Sequence, residues 1–185
     1  MIYTECKPDS ALVKTLEIPK KQVIHLGGKT EVCKQLAKRE NCNGLVDEDP
    51  FSVQPPYLKK LQVKENLSDC GLKILNDNSK NNDLIILCPR LEEWILKATK
   101  EADLDISRYN LPDDGEQLHK VINIDIRKFE KLIKDLKGKG EMVKALEKSV
   151  KELEMQETHS LPTLLQIQPR IAQDNLFYPC GNLAL

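Results

Sequence analysis

The sequence predicts an α/β fold, with a mainly parallel sheet covered by helices on both faces and further helices at the C-terminal side. Within residues 1–50, three short apolar runs alternate with two segments of helical spacing. Parallel strands need a crossover between them, usually a helix, so this alternation is typical of a parallel sheet. Two more apolar runs follow, and amphipathic segments fill much of 90–154.

The elements follow in order from the apolar spacing. Strands are predicted at 1–5, 22–26, 43–47, 72–76 and 84–88. The first helix opens at Lys7 to Ser10, with Asp9 or Ser10 as its N-cap. A tight turn at Gly27-Gly28 leads to the second helix, for which Thr30 is the predicted cap. Later helices are predicted at 90–102, 127–136 and 141–154.

The connections are predicted from composition. Residues 48–68 contain three prolines and are expected to form a loop, and 103–117 is expected to be another. Residues 76–83 are polar turn formers, which indicate a hairpin or two strands joined by a mobile loop. The predicted organisation is an α/β domain at 1–125, a helical extension packed on it at 126–157 and an irregular tail at 158–185.

Composition restricts the function classes. The 185 residues carry 28 Lys and Arg against 29 Asp and Glu, so no global field draws the chain to nucleic acid or lipid. Aromatic residues make up 4%, which disfavours a base-stacking surface. The first residues do not resemble a signal peptide, and no apolar run is long enough to span a membrane. We therefore expect a cytoplasmic protein without a membrane partner, with six free thiols and no zinc site.

Acidic residues end two of the predicted parallel strands. Glu5 ends the first strand, with Asp9 shortly after it, and Asp47 and Asp49 end the third. Because the carboxyl ends of parallel strands form the functional edge of such sheets, these acids are expected to converge there. Like charges so close favour a hard cation with oxygen ligands, and Mg²⁺ fits a few carboxylates with water and phosphate.

Simpler interpretations compete with this one. An acidic turn such as 47–50 is often only a solvated strand end. Lys29 is as readily a solvent-facing helix residue, and Glu92 has the position of a first-turn acid favoured by the helix dipole. The order of the motifs is more specific than any one of them: an acid after the first strand, glycines after the second and Asp-x-Asp after the third.

This order of motifs resembles the Toprim domain, and most closely its OLD-type nuclease branch. Glu5 matches the invariant glutamate, Asp47 and Asp49 match the Asp-x-Asp pair, and Asp9 matches an acid that this branch adds. Gly27-Gly28-Lys29 is similar to its glycine turn, and 91–94 is similar to the start of a later family helix. Cys6 departs from the family, which often has glycine there. The resemblance covers about residues 1–98.

The resemblance implies a Rossmann-like sheet and a nuclease that cleaves phosphodiesters in DNA or RNA with Mg²⁺ or Mn²⁺. It implies metal ligation by Glu5, Asp9, Asp47, Asp49 and Glu92. Glu5 would also be catalytic, and Lys29 would contact the phosphate.

Two alternatives stay open. One is a non-catalytic Toprim-like module that binds nucleic acid, a nucleotide or a protein, which the near-neutral charge favours. The other is a haloacid-dehalogenase-like phosphatase, which is weaker because that family carries its Asp-x-Asp on the first strand and Phe51 stands at the motif's last position.

Overall fold

A six-stranded mixed sheet forms the centre of the molecule. The computed structural model describes residues 1–159. Along the sheet the strands lie in the order β2, β1, β3, β6, β5, β4. Their bounds are β1 Ile2–Thr4, β2 Val23–His25, β3 Asn43–Asp47, β4 Gln62–Leu67, β5 Leu72–Asp77 and β6 Asn82–Leu87.

Four neighbouring strands run parallel, and two run against them. β1 pairs in parallel with both β2 and β3, and β3 pairs in parallel with β6. β5 and β6 form an antiparallel hairpin, and β4 pairs antiparallel to β5 at the edge. The sheet thus brings the carboxyl ends of β1, β2, β3 and β6 to one edge.

Helices cover both faces, as the sequence predicts. They are α1 Lys7–Thr15, α2 Lys29–Lys38, α3 Leu91–Glu101, α4 Gly115–Ile124, α5 Ile126–Leu136 and α6 Glu141–His159. Alternate strand residues divide the core between the faces. Ile2, Leu45 and Ile85 share one apolar cluster with residues of α1 and α3 to α6, whereas their neighbours Tyr3, Val46 and Ile86 pack with α2.

The five predicted strands are confirmed, and the hairpin is the correct choice for the turn between β5 and β6. Two loop predictions are wrong. Residues 48–68 contain β4, and 103–117 contains the start of α4. The predicted helix caps are also wrong, because Cys6 caps α1 and Gly28 is the N-cap of α2.

The C-terminal helices share the core of the sheet domain. Phe129 of α5 and Leu146 of α6 are fully buried in the same cluster as Ile2 and Leu45. The tail predicted for 158–185 lies outside the described residues, apart from the last two residues of α6. Within residues 1–159, no helix is both long and apolar enough to cross a membrane. The five cysteines in that range are free thiols.

Gly44 marks the closest approach of β3 to its neighbours. A Cβ at this position would lie 2.7 Å from Leu84 Cδ1 and 3.0 Å from Val32 Cγ1. Gly44→Ala should therefore lower the free energy of unfolding by roughly 1–3 kcal/mol, the usual cost of overpacking. Urea titration measures it.

Leu84→Val, which removes the nearest methyl group, serves as the control for this mechanism. The destabilisation of the double variant should be smaller than the sum of the two single effects. The reason is that the shorter side chain at position 84 makes room for the Cβ added at position 44. Strict additivity would contradict the packing explanation.

Candidate functional site

Glu5 and Asp47 meet at the carboxyl edge of the sheet because their strands are neighbours. β1 and β3 pair in register from Ile2 and Asn43 onward. The backbone amide of Asp47 donates a hydrogen bond to Glu5 Oε2 over 3.3 Å. The predicted convergence of these two acids is thus present in the fold.

Asp9 joins them from the start of α1, where it is fully buried. Its Oδ2 accepts a hydrogen bond from the Cys6 amide at 2.9 Å, and the Cys6 thiol accepts one from the Asp9 amide, which closes a capping box. Its other carboxyl oxygen, Oδ1, is buried and has no hydrogen-bond partner in the described part of the chain. A buried carboxylate oxygen without a partner is costly, and in native structures it calls for an explanation.

Asp47 ties the site to α3. Its Oδ1 accepts a hydrogen bond from the backbone amide of Leu91, the first residue of that helix, at 2.9 Å. The next residue, Glu92, is also buried and accepts a hydrogen bond at Oε1 from His119 Nδ1 at 2.7 Å. The start of α3 therefore presents one amide and one carboxylate to the strand ends.

Three acids at this edge, Glu5, Asp9 and Asp47, have raised pKa values. The pKa of Asp9 is raised to about 7, mainly by burial and to a smaller extent by the charges of Glu5 and Glu92, despite the hydrogen bonds from Cys6, which lower it. Burial raises the pKa of Asp47 to about 9, with further contributions from Asp9, Glu5 and Glu92. Burial likewise raises the pKa of Glu5, against the hydrogen bond from the Asp47 amide and the charge of Lys29. These acids form one mutually repelling group, the acidic cluster of Glu5, Asp9, Asp47 and Glu92.

Asp49 borders this cluster without belonging to its buried part. It is half-buried, and its charge contributes to the raised pKa of Glu5. Its backbone has a φ of 42°, a left-handed conformation, and its amide donates to Pro89 O at 2.9 Å. Asp49 thus lies at the turn where the chain leaves β3, next to the loop after β6.

Lys29 lies at the same edge, but its ammonium group donates hydrogen bonds to the loop that follows β3. It is buried, and Nζ donates to Glu48 O at 2.8 Å and to Gln54 Oε1 at 3.3 Å. Gln54 in turn donates to Glu48 O and Asp49 O. The solvent-facing alternative for Lys29 is therefore wrong, while its contact with a phosphate stays a prediction.

The glycine turn leaves open space next to the cluster. Gly27 and Gly28 have φ values of 78° and 151°, and nothing lies within 4 Å of a Cβ built on either. Gly28 is the N-cap of α2, which has no side-chain cap. The Lys29 backbone amide at this helix start already interacts with the Glu5 carboxylate and lowers its pKa. The turn thus leaves open space beside a helix start that meets a carboxylate, the kind of charge that helix starts favour.

No family model, curated protein or solved structure matches the chain. The site is accordingly argued from its own residues. Within residues 1–159, no three His, Cys, Asp or Glu side chains already have the arrangement of a metal centre. The chemistry of the side chains nevertheless fits an ion. The cluster offers carboxylate oxygens, the ligands that Mg²⁺ and Mn²⁺ prefer. One of these oxygens, Asp9 Oδ1, has no hydrogen-bond partner in the described residues.

Sequence reasoning missed His119 as a neighbour of this site, because 103–117 was predicted to be a loop and α4 was not recognised. The signal was nevertheless present. Asp114 is the N-cap of α4 and accepts from the Gln117 amide at 2.9 Å. Leu118 and Ile122, four residues apart, form the buried stripe of this helix.

Asp47→Asn should stabilise the metal-free protein at alkaline pH. The native state holds protons on Asp47 up to a pH of about 9, whereas the unfolded chain loses them near its ordinary pKa of about 4. The native state therefore binds more protons than the unfolded state between these values, and the stability of the wild type falls as pH rises through them. The side-chain amide of the variant does not titrate, so this loss of stability disappears. Its oxygen can still accept the hydrogen bond from the backbone N–H of Leu91.

Urea titrations in EDTA at pH 4 and pH 8 measure the effect. We expect a gain of roughly 1–3 kcal/mol at pH 8 and little difference at pH 4. Asp113→Asn, at an exposed carboxylate, should show neither. A loss of stability at pH 8 in Asp47→Asn would contradict a self-repelling cluster.

Proposed function

We propose that the chain is a divalent-metal-dependent phosphodiesterase of the Toprim type, a nuclease that acts on DNA or RNA. The observation that carries the proposal is the unpartnered, fully buried Oδ1 of Asp9 within a cluster of repelling carboxylates. Burying a carboxylate oxygen without a hydrogen-bond partner opposes folding. Coordination of that oxygen to a cation would offset both the lost hydrogen bond and the repulsion among the carboxylates.

Protein cations are poorly placed to do this in the described part of the chain. The ammonium group of Lys29 is engaged by Glu48 O and Gln54. Arg90, near the start of α3, pairs with Glu93 and Glu116. Glu5, Asp9, Asp47 and Glu92 would hold the ion, with Asp49 as a more exposed ligand at the rim.

A bound Mg²⁺ or Mn²⁺ would polarise a phosphoryl oxygen and lower the pKa of a coordinated water. The chain itself would position the substrate. The open turn at Gly27-Gly28 would let a phosphate approach the start of α2, where the helix dipole favours an anion and where the Lys29 amide already interacts with Glu5. Burial raises the pKa of Glu5, the direction expected for a carboxyl group that takes part in proton transfer.

A non-catalytic binding module is the second candidate, and a specific observation favours it. The raised pKa values of Asp9 and Asp47 mean that protons alone can relieve the repulsion near neutral pH. A cluster that is stable when protonated does not require an ion in order to fold. In this case the same edge would bind a nucleotide, a nucleic acid or a protein without cleaving it.

Cleavage by the wild type should require a divalent ion, and Asp47→Asn should reduce it by at least about 100-fold, since catalysis rests on charge neutralisation by the ion. Nicking of plasmid and cleavage of single-stranded DNA and RNA, with Mg²⁺, Mn²⁺ or EDTA, measure this. Calorimetry with Mn²⁺ should show binding by the wild type and much weaker binding by Asp47→Asn.

Asp113→Asn is the matched control, with an exposed carboxylate outside the cluster, and it should cleave like the wild type. Activity in EDTA would refute the metal mechanism. Metal binding without cleavage of any of these substrates would favour the binding module.

A further inference from the structure

The helix α4 brings a residue to the acidic cluster from outside the segment that resembles a Toprim domain. α4 spans Gly115–Ile124 and is fixed against α3. Arg90 pairs with Glu93 of α3 and Glu116 of α4, and a Cβ on Gly115 would lie 2.5 Å from Glu93 Oε1. The two helix starts therefore touch, and glycine at 115 is what allows the close approach.

His119, one turn further along α4, reaches Glu92. The distance from its Nδ1 to Glu92 Oε1 is 2.7 Å. The side chain of Glu92 is only 6% exposed, whereas that of His119 is 59% exposed. The histidine thus covers a buried carboxylate from the solvent side and adds little to the core.

Asn123 sets which nitrogen of the imidazole carries the proton. Its side-chain amide lies 3.3 Å from His119 Nε2 and also donates to His119 O at 2.8 Å. Because an amide NH₂ can only donate, Nε2 must accept, and the neutral ring then carries its hydrogen on Nδ1. The hydrogen bonds run in one direction, from Asn123 through His119 to Glu92.

We propose that His119 is a positioning residue, which holds Glu92 in the orientation that presents its second oxygen, Oε2, to the ion of the acidic cluster. This inference rests on the proposed metal-dependent function. The hydrogen bond occupies Oε1 and restricts rotation of the carboxylate, so Oε2 is left to the cluster. Hydrogen-bond partners of metal-binding carboxylates typically contribute 10- to 100-fold to metal affinity.

Three variants separate positioning from a general effect of α4. His119→Leu removes the donor. His119→Asn keeps an NH donor bonded to Cγ, where Nδ1 stands in histidine. Lys120→Gln changes the neighbouring exposed residue and leaves Glu92 untouched. Calorimetry with Mn²⁺ at about pH 8, where binding competes with protons less than in acid, measures the affinity of each variant, and melting curves confirm the fold.

We expect His119→Leu to bind Mn²⁺ about 10- to 100-fold more weakly than the wild type, with recovery in His119→Asn and no change in Lys120→Gln. Equal binding by the wild type and His119→Leu would overturn the positioning role and leave the metal site standing. No Mn²⁺ binding by the wild type would overturn the proposed function and this inference together.

A second measurement tests the hydrogen bond without any metal. In ¹⁵N spectra of the metal-free protein at the same pH, His119 should show a protonated Nδ1 and a bare Nε2, and Asn123→Ala should weaken that preference. A ring with its proton on Nε2 and a bare Nδ1 in the wild type would overturn the inference even if the protein binds Mn²⁺, because Nδ1 could not then donate to Glu92.

Discussion

The position of β3 between β1 and β6 is the constraint on which the site depends. Parallel pairing on both sides of β3 fixes where β1, β3 and β6 end relative to one another. The acids near those ends have little freedom to separate, since Asp47 belongs to the ladder, Asp9 and Glu92 to helices packed on it, and Glu5 to the two-residue link between β1 and α1. The packing of Leu45 and Val46 on opposite faces holds the strand that carries Asp47. Apolar burial thus supplies the free energy that keeps like charges together.

Two occupants can relieve the repulsion, and they compete. Protons bind to Asp9 and Asp47 because burial favours the neutral acids. The proposed divalent cation would need the ionised acids, so its binding would release protons and would weaken as the solution becomes more acidic. The cluster is therefore suited to exchange protons for a cation in the neutral to alkaline range. The proposed nuclease needs the cation, whereas the binding module needs only the protons.

The parts of the fold that could be predicted from sequence are those in which apolar residues recur with a regular period. β1, β3 and β6 are short apolar runs, and the acids at the ends of β1 and β3 were found because strand ends in parallel sheets share an edge. β4 was missed because almost all of its residues are exposed, so no apolar alternation marks it. Its hydrogen bonds to β5 hold it in the sheet, and such long-range pairing leaves little trace in a local sequence.

The site was predictable in outline and not in its connections. Asp9 was expected near the cluster, but its second role in the capping box depends on Cys6, a residue that departs from the family pattern. Lys29 was expected at the same edge, yet its ammonium group binds a loop backbone far along the chain. His119 depends on a helix contact that no spacing rule describes. Hydrogen-bond partners that are brought together by tertiary packing cannot be predicted from the periodicity of apolar residues.

The construction of β4 also affects how the molecule behaves at high concentration. An outer strand exposes unpaired backbone groups that can recruit another chain and begin aggregation. β4 has a bulge between Val63 and Glu65, and Lys64 at the bulge turns inward to pair with the buried Asp83. At the opposite margin, β2 has only three residues. Both margins of the sheet are thus poor templates for a further strand, so the protein can keep an open sheet without polymerising through it.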